Sequence, residues 1–321
     1  MHDGPGGLYK TLRARSARPL ASVIMRRIVS WNVNGIRACV ARGFVDWLRR
    51  CGADVIGLQE MRVTDELLPA NLRRSKRYPH FFLSAARSRL GYSGVGLFSR
   101  EAPREIVTDL GRPRFDREGR FQLVRFDDLL VANVYFPNGN GKERDLSRVP
   151  YKLAFTRRVF DVVDEARART GLPALVLGDY NTAPAAIDLA RPRANEKNSG
   201  FLPAERRALA RCIERGYVDT FRALFPEEVR YSWWSSRFGV REKNIGWRID
   251  LVLASADLMP RVRSAFIWDH VPGSDHCPVG VDISEGGPPP RRGRGEAAPA
   301  PLVRSPSARP RAARAEKTPR S

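Results

Sequence analysis

The stretch Gly273-Ser274-Asp275-His276-Cys277-Pro278-Val279 sets a carboxylate beside an imidazole, between a Gly-Ser turn and the apolar alternation Val279, Val281, Ile283. A turn running into an alternating strand puts such a pair at a strand mouth, where it can hold a metal ion or move a proton. Taken alone, the dipeptide also suits an ordinary turn carrying a surface histidine. What favours chemistry is repetition. Ile28-Val29-Ser30-Trp31 leads into Asn32-Val33-Asn34-Gly35, Val55-Ile56-Gly57-Leu58 into Gln59-Glu60, and Ala174-Leu175-Val176-Leu177 into Gly178-Asp179-Tyr180-Asn181. Gly246-Trp247-Arg248-Ile249-Asp250 precedes the run Leu251-Val252-Leu253. Short buried strands that share one sheet end would gather these groups from across the chain.

A convergent set of Asn32, Asn34, Glu60, Asp179, Asn181, Asp250, Asp275 and His276 is rich in oxygen. That suits a hard cation such as Mg²⁺, with Mn²⁺ as a substitute, and one imidazole among carboxylates argues against a dedicated zinc site. Phosphodiester hydrolysis needs neutralised phosphoryl oxygens, an activated water and help for the leaving oxygen, and such a set supplies all three. Read singly the residues have plainer roles: Glu60 closing a strand edge, Asp179 and Asn181 forming a turn, Tyr135 packing on a sheet face, Asp250 pairing with Arg248 at the surface.

The elements that must position these groups alternate between strands and helices from Met25 onward. Phe44, Trp47, Leu48 and Cys51 recur at helical spacing before Gly52, and Tyr151, Phe155, Val159, Val162 and Val163 mark a long amphipathic helix feeding the Asp179 strand. Tyr78 to Leu83 and Gly91 to Phe98 read as β segments, and Gly119–Phe126 with Leu129–Tyr135 reads as a hairpin about Asp127-Asp128. Strands outnumber what simple βα alternation supplies, so two packed sheets with helices outside fit better than one parallel sheet.

The chain has 321 residues and a formal net charge of +21. Its basic excess extends through the middle of the chain, which favours a polyanionic partner through counterion release. No apolar run reaches the roughly 18 to 20 residues that a membrane helix needs. The four cysteines, Cys39, Cys51, Cys212 and Cys277, show neither zinc-finger nor disulfide-framework spacing. Residues 1–24 read as a flexible basic extension, with an organellar targeting peptide as the weaker alternative to a cytoplasmic protein. Residues 25–284 read as the catalytic domain, and 285–321, rich in Pro and Arg, as a disordered basic tail.

The motifs Ser30-Trp31-Asn32-Val33-Asn34-Gly35-Ile36-Arg37, Leu58-Gln59-Glu60, Gly91-Tyr92-Ser93-Gly94-Val95-Gly96, Tyr135-Phe136-Pro137-Asn138, Gly178-Asp179-Tyr180-Asn181, Lys243–Asp250 and Gly273–Pro278 occur in one order along the chain. In these the chain resembles the exonuclease III and apurinic/apyrimidinic (AP) endonuclease family. The resemblance implies a four-layer αββα sandwich, two packed mixed sheets flanked by helices, with the site at one edge. It implies Asn34, Glu60, Asp179, Asn181, Asp275 and His276 around the metal. Asp250 would orient His276, Tyr135 and Asn181 would orient phosphate and water, and Asp179 would either position the attacking water or assist the leaving oxygen. Asn32, Asn138, Trp233, Trp247 and Ile249 would contact substrate, the last three lining an apolar pocket for a base-free deoxyribose. Arg87, Arg89, Lys142, Arg144, Arg237 and Arg241 are candidate phosphate clamps.

The implied activity is Mg²⁺-dependent incision of duplex DNA 5′ to abasic sites and trimming of 3′ ends, by a monomer acting away from membranes. The alternatives are a phosphoesterase for RNA, inositol phosphate or lipid, and a catalytically silent DNA-binding module. Trp233, Trp247 and the Lys243–Asp250 segment separate the first from the DNA-repair reading; the set Glu60, Asp179, Asp250 and His276 separates the second.

Overall fold

The computed structural model describes residues 25–73, 75–143, 145–236 and 239–285. The readings of residues 1–24, of the tail beyond Glu285, and of Arg144 and Arg237 lie outside the described residues. In chain order the strands are β1 (Met25–Asn32), β2 (Val55–Gln59), β3 (His80–Ser84), β4 (Val95–Ser99), β5 (Glu105–Val107), β6 (Phe121–Arg125), β7 (Leu130–Tyr135), β8 (Ala174–Asp179), β9 (Tyr217–Asp219), β10 (Asp250–Ser255), β11 (Val262–Ile267) and β12 (Val279–Ser284). They form two six-stranded sheets, ordered β11-β12-β1-β2-β4-β3 and β5-β6-β7-β8-β10-β9. Among the described residues only the pairs β1/β2 and β7/β8 are parallel, so both sheets are mixed. Among the described residues no helix is long and apolar enough to cross a membrane.

Three apolar layers hold the sandwich together. Side chains alternate across a strand, so each sheet has an inner and an outer face. Ile28, Val131, Leu175, Leu177, Val252 and Val281 meet between the sheets. Val29, Trp31, Ile56 and Leu58 cover the outer face of the first sheet against Phe44 and Leu48 of the helix Phe44–Arg50. Ala132, Val134, Val176 and Leu253 cover the outer face of the second against Phe155, Val159 and Val163 of the helix Val149–Thr170. Helix, sheet, sheet, helix is the four-layer arrangement expected from the sequence.

Toward one rim the inward alternation turns polar, and this is what builds the site. Along β1 it reads Ile28, Ser30, Asn32; along β7, Val131, Asn133, Tyr135; along β8, Leu175, Leu177, Asp179. Register aligns them, because Asp179 pairs with Tyr135 on one side and Asp250 on the other. Behind the rim a buried amide network ties the sheets: the Gln59 amide donates to Asn133 Oδ1 (2.7 Å) and Ser30 Oγ (3.0 Å), and the Asn133 amide donates to the Gly96 carbonyl (2.8 Å). Gly57 permits this close approach, since a Cβ there would lie 2.6 Å from Leu177 Cδ1 and 2.9 Å from Asn133.

The hairpin and both anticipated helices form as expected. Residues 91–94 differ: they are a turn, with Gly91, Ser93 and Gly94 at positive φ, and the strand begins only at Val95. Left-handed backbone breaks a ladder, which is why the glycines there end the pattern instead of interrupting it.

Candidate active site

Three site segments leave their strand ends through a tight, left-handed step. Asn34 (φ 44°), Glu60 (φ 51°) and Asn181 (φ 47°) are non-glycine residues in a region that favours glycine. Polar residues two places apart stabilise two of these bends: Asn32 Oδ1 accepts from Asn34 N (2.9 Å) and Asp179 Oδ1 from Asn181 N (2.8 Å). The third is held by the first, since Asn32 Nδ2 donates to Glu60 Oε1 (3.0 Å) and also to Asp179 Oδ2 (2.9 Å). Asn32 thereby joins the two sheets. It has no exposed surface, so it lies beneath the cleft instead of contacting substrate as the resemblance implies.

His276 and Asp250 meet behind the cleft, with His276 Nδ1 2.8 Å from Asp250 Oδ2 and His276 Nε2 turned toward Asp179 Oδ2 at 3.9 Å. Burial disfavours a charged imidazole, but Asp250 and Asp179 outweigh it and hold the His276 pKa up, to about 10. For Asp179, burial and the neighbouring Asp250 and Glu60 carboxylates push the pKa up to about 7 against the opposing pull of His276. Burial would also raise Glu60, yet Arg62, which pairs with it, and Asn32 leave its carboxyl below the usual range. The Tyr135 phenol is raised far above its ordinary value by burial and by Glu60. The site therefore presents a cation, an anion and a group poised near neutrality.

Oxygens of Glu60 and Asp179 lie within 4.8 Å of each other and of the protonated His276 ring, and the buried Oδ1 of Asn34 has no hydrogen-bond partner. An oxygen-dominated donor set beside an unpartnered amide oxygen fits a hard divalent cation. Asp275 stands apart from that cluster, holding Asn34 Nδ2 (2.8 Å) and Trp233 Nε1 (3.1 Å) on its two oxygens. The cleft of about 550 Å³ above these residues is also lined by Tyr135, Asn138, Asn181, Trp233, Trp247 and Ile249. Asn138 is exposed and donates to Asn181 Oδ1 (3.1 Å). Trp233, Trp247 and Ile249 pack on Leu189 and Phe201 as a small apolar cluster, whereas Trp234 is core.

Several participants escape sequence reasoning. Ser232 Oγ donates to Asp250 Oδ2 (2.7 Å) and receives the Ile249 and Asp250 N–H groups, fixing the carboxylate that holds His276. Arg248 is not the partner of Asp250: it is buried, facing the opposite way, and binds Asp188 (2.7 Å) and Asp219 (2.7 Å). Trp247 and Ile249 on either side of it line the cleft, and the Arg248 side chain points away from that cleft. Arg241 donates to the carbonyls of Ser274, Asp269 and Val271 and stacks over Trp234, so it anchors the Asp275 loop. Arg87 pairs with Asp109. Arg89 and Lys142 are exposed.

Residues 29–276 match the model of the Endonuclease/Exonuclease/phosphatase family. The chain is 37% identical over 263 residues to an exodeoxyribonuclease of Bacillus subtilis (strain 168), covering 80% of this chain and 99% of that one. It is 35% identical over 258 residues to the DNA repair nuclease APEX1 of Danio rerio, covering 79% and 80%. Among solved structures, an AP endonuclease from Archaeoglobus fulgidus superposes with a TM-score of 0.72 at 26% identity, covering 81% of this chain and all of that one. The catalytic domain of Xenopus laevis APE2 gives 0.70 at 30% identity, covering 82% and 95%. With a family match that spans the sandwich and both sides of its cleft, the chain is a hydrolytic enzyme of the endonuclease/exonuclease/phosphatase family.

Proposed function

We propose that this enzyme is a Mg²⁺-dependent DNA-repair nuclease that incises duplex DNA 5′ to abasic sites and removes nucleotides or blocking groups from 3′ ends. The observation that carries the reading is the juxtaposition of the Glu60, Asp179 and His276 cluster with the apolar wall of Trp233, Trp247 and Ile249 in one cleft. A sugar without its base needs no unstacking to leave the duplex and presents an apolar ring face, which suits that wall. The similarity to a DNA repair nuclease and to an AP endonuclease supports the substrate class.

Glu60 and Asp179, with Asn34 beside them, would hold the cation; when bound, it supplies charge neutralisation at the phosphoryl oxygens. His276, kept protonated by Asp250, offers Nε2–H to the oxygen on which negative charge develops. Asp179 is held through both oxygens by Asn32 and Asn181. Held there, it is in place either to take a proton from the attacking water or to assist the leaving oxygen. The bacterial cytoplasm, where DNA is in reach, and a monomeric state complete the reading.

The test is cleavage of a labelled duplex carrying one abasic analogue, beside an intact duplex with a recessed 3′ end, each with Mg²⁺ and with EDTA. Mg²⁺-dependent incision at the analogue is expected, and the ratio of the two rates gives the dominant activity. Cleavage of only an RNA or phosphoinositide substrate would overturn the substrate assignment.

A further inference from the structure

Lys152 lies on the helix Val149–Thr170, on the same buried face as Phe155, Thr156 and Val159. It is only 1% exposed, where a leucine would pack without penalty. Its ammonium makes two short contacts, to the Asn181 carbonyl oxygen (2.5 Å) and to Glu205 Oε1 (2.8 Å). Glu205 is itself buried and spends its remaining capacity on the cleft wall, accepting from Ser199 Oγ (3.0 Å), Gly200 N (2.6 Å) and Leu202 N (3.1 Å). The wall in turn grips the catalytic turn, because Ala183 N donates to Gly200 O (2.8 Å).

A buried ion pair is a poor device for stability, since desolvation offsets most of its attraction, and burial does pull the Lys152 pKa down. What this pair does is place a fixed cation on the carbonyl of a residue held at φ 47°. Asn181 orients Asp179 through its N–H and its amide, and strained backbone of this kind persists only where its surroundings hold it. We propose that Lys152 is a positioning residue for Asp179, acting through the Asn181 carbonyl, and that Glu205 seats it while locking the Ser199–Gly200 wall to the same point. The effect on turnover rests on the nuclease reading; the effect on the Asn181 turn does not.

The deciding variant is Lys152→Met combined with Glu205→Gln. It removes both charges together, and the glutamine oxygen still accepts from Gly200 and Leu202. Melting temperature shows whether it folds; steady-state cleavage of both duplexes gives kcat and KM; hydrogen exchange reads the amides of Asn181 and Ala183. At near-parent melting temperature, kcat is expected to fall about 10- to 100-fold with KM changed less than about threefold, and exchange at the two amides to speed up about 10-fold. A folded double variant with parent kcat and parent exchange would overturn the proposal. If the double variant does not fold, Lys152→Arg decides: its planar guanidinium keeps the Glu205 pair while pulling away from the carbonyl, and kcat should drop about 3- to 10-fold. Parent kcat and exchange in that variant would reduce the pair to a folding element. If the parent itself cleaves neither duplex, the nuclease reading fails, while the exchange rates still decide whether Lys152 holds the turn.

Discussion

Ser232 shows how much of the site depends on residues that never face the cleft. Its hydroxyl fixes the Asp250 carboxylate, which fixes the His276 ring, so Ser232→Ala should lower kcat about 10-fold or more with little change in duplex binding, measured by single-turnover cleavage and a filter-binding titration. Glu60→Gln removes a charge at the cation cluster and leaves the basic surface untouched; cleavage should fall by about 10²- to 10³-fold while DNA is still bound. The cleft residues themselves were legible, because Asp179, Glu60 and His276 each end or begin an apolar run. Their supports were not. Serine in Tyr231-Ser232-Trp233-Trp234 looks like any strand serine, and a lysine between Tyr151 and Leu153 looks solvated until its spacing from Phe155 and Val159 is counted. Arg248 misled for a related reason: closeness in sequence suggested Asp250 as its partner, whereas Asp188 and Asp219 take its guanidinium and Ser232 and His276 take the Asp250 carboxylate.

At the scale of elements, the site is a by-product of strand parity. Moving β8 by one residue would turn Asp179 outward and leave Leu177 facing the helices, so the apolar run fixes the carboxylate as firmly as it fixes the core. That is why strands and long helices were readable from period alone. The short strands β5 and β9, with three residues each, and the short helices beside the cleft carry too few repeats to show a period. The sheet interface has its own control point. Gly57→Ala would drive a methyl into Leu177 and Asn133, and should cost about 1–3 kcal/mol in urea unfolding while lowering activity, because the Gln59 and Asn133 amides move with it.

For the whole molecule, charge works in two ways. An excess of +21 should make KM for duplex DNA rise steeply between about 50 and 200 mM salt while kcat stays nearly constant. Locally, ion pairs tie the sheets at the end away from the cleft. Burial opposes ionisation of Asp128, but Arg26 and Arg261 outweigh it and leave its pKa below the ordinary carboxylate value. A carboxylate depressed in the folded state stabilises above its unfolded pKa, and that contribution is lost as pH falls through the folded value. Asp128→Asn should therefore lower the melting temperature at pH 7, with the gap to the parent closing as pH falls below about 4.

The strand order has a further consequence. β12 sits between β1 and β11 in the first sheet, so a sheet begun by residues 25–32 is finished by residues 262–284. Asp275 and His276 stand just before β12, and the Trp31 indole at the other end of the chain donates to the His276 carbonyl (3.1 Å). On a ribosome, a growing chain that has already displayed Glu60 and Asp179 still lacks the imidazole. Fragments that stop before Asp275 should therefore leave DNA uncut even when they carry Glu60 and Asp179, which cleavage assays on truncated chains would check.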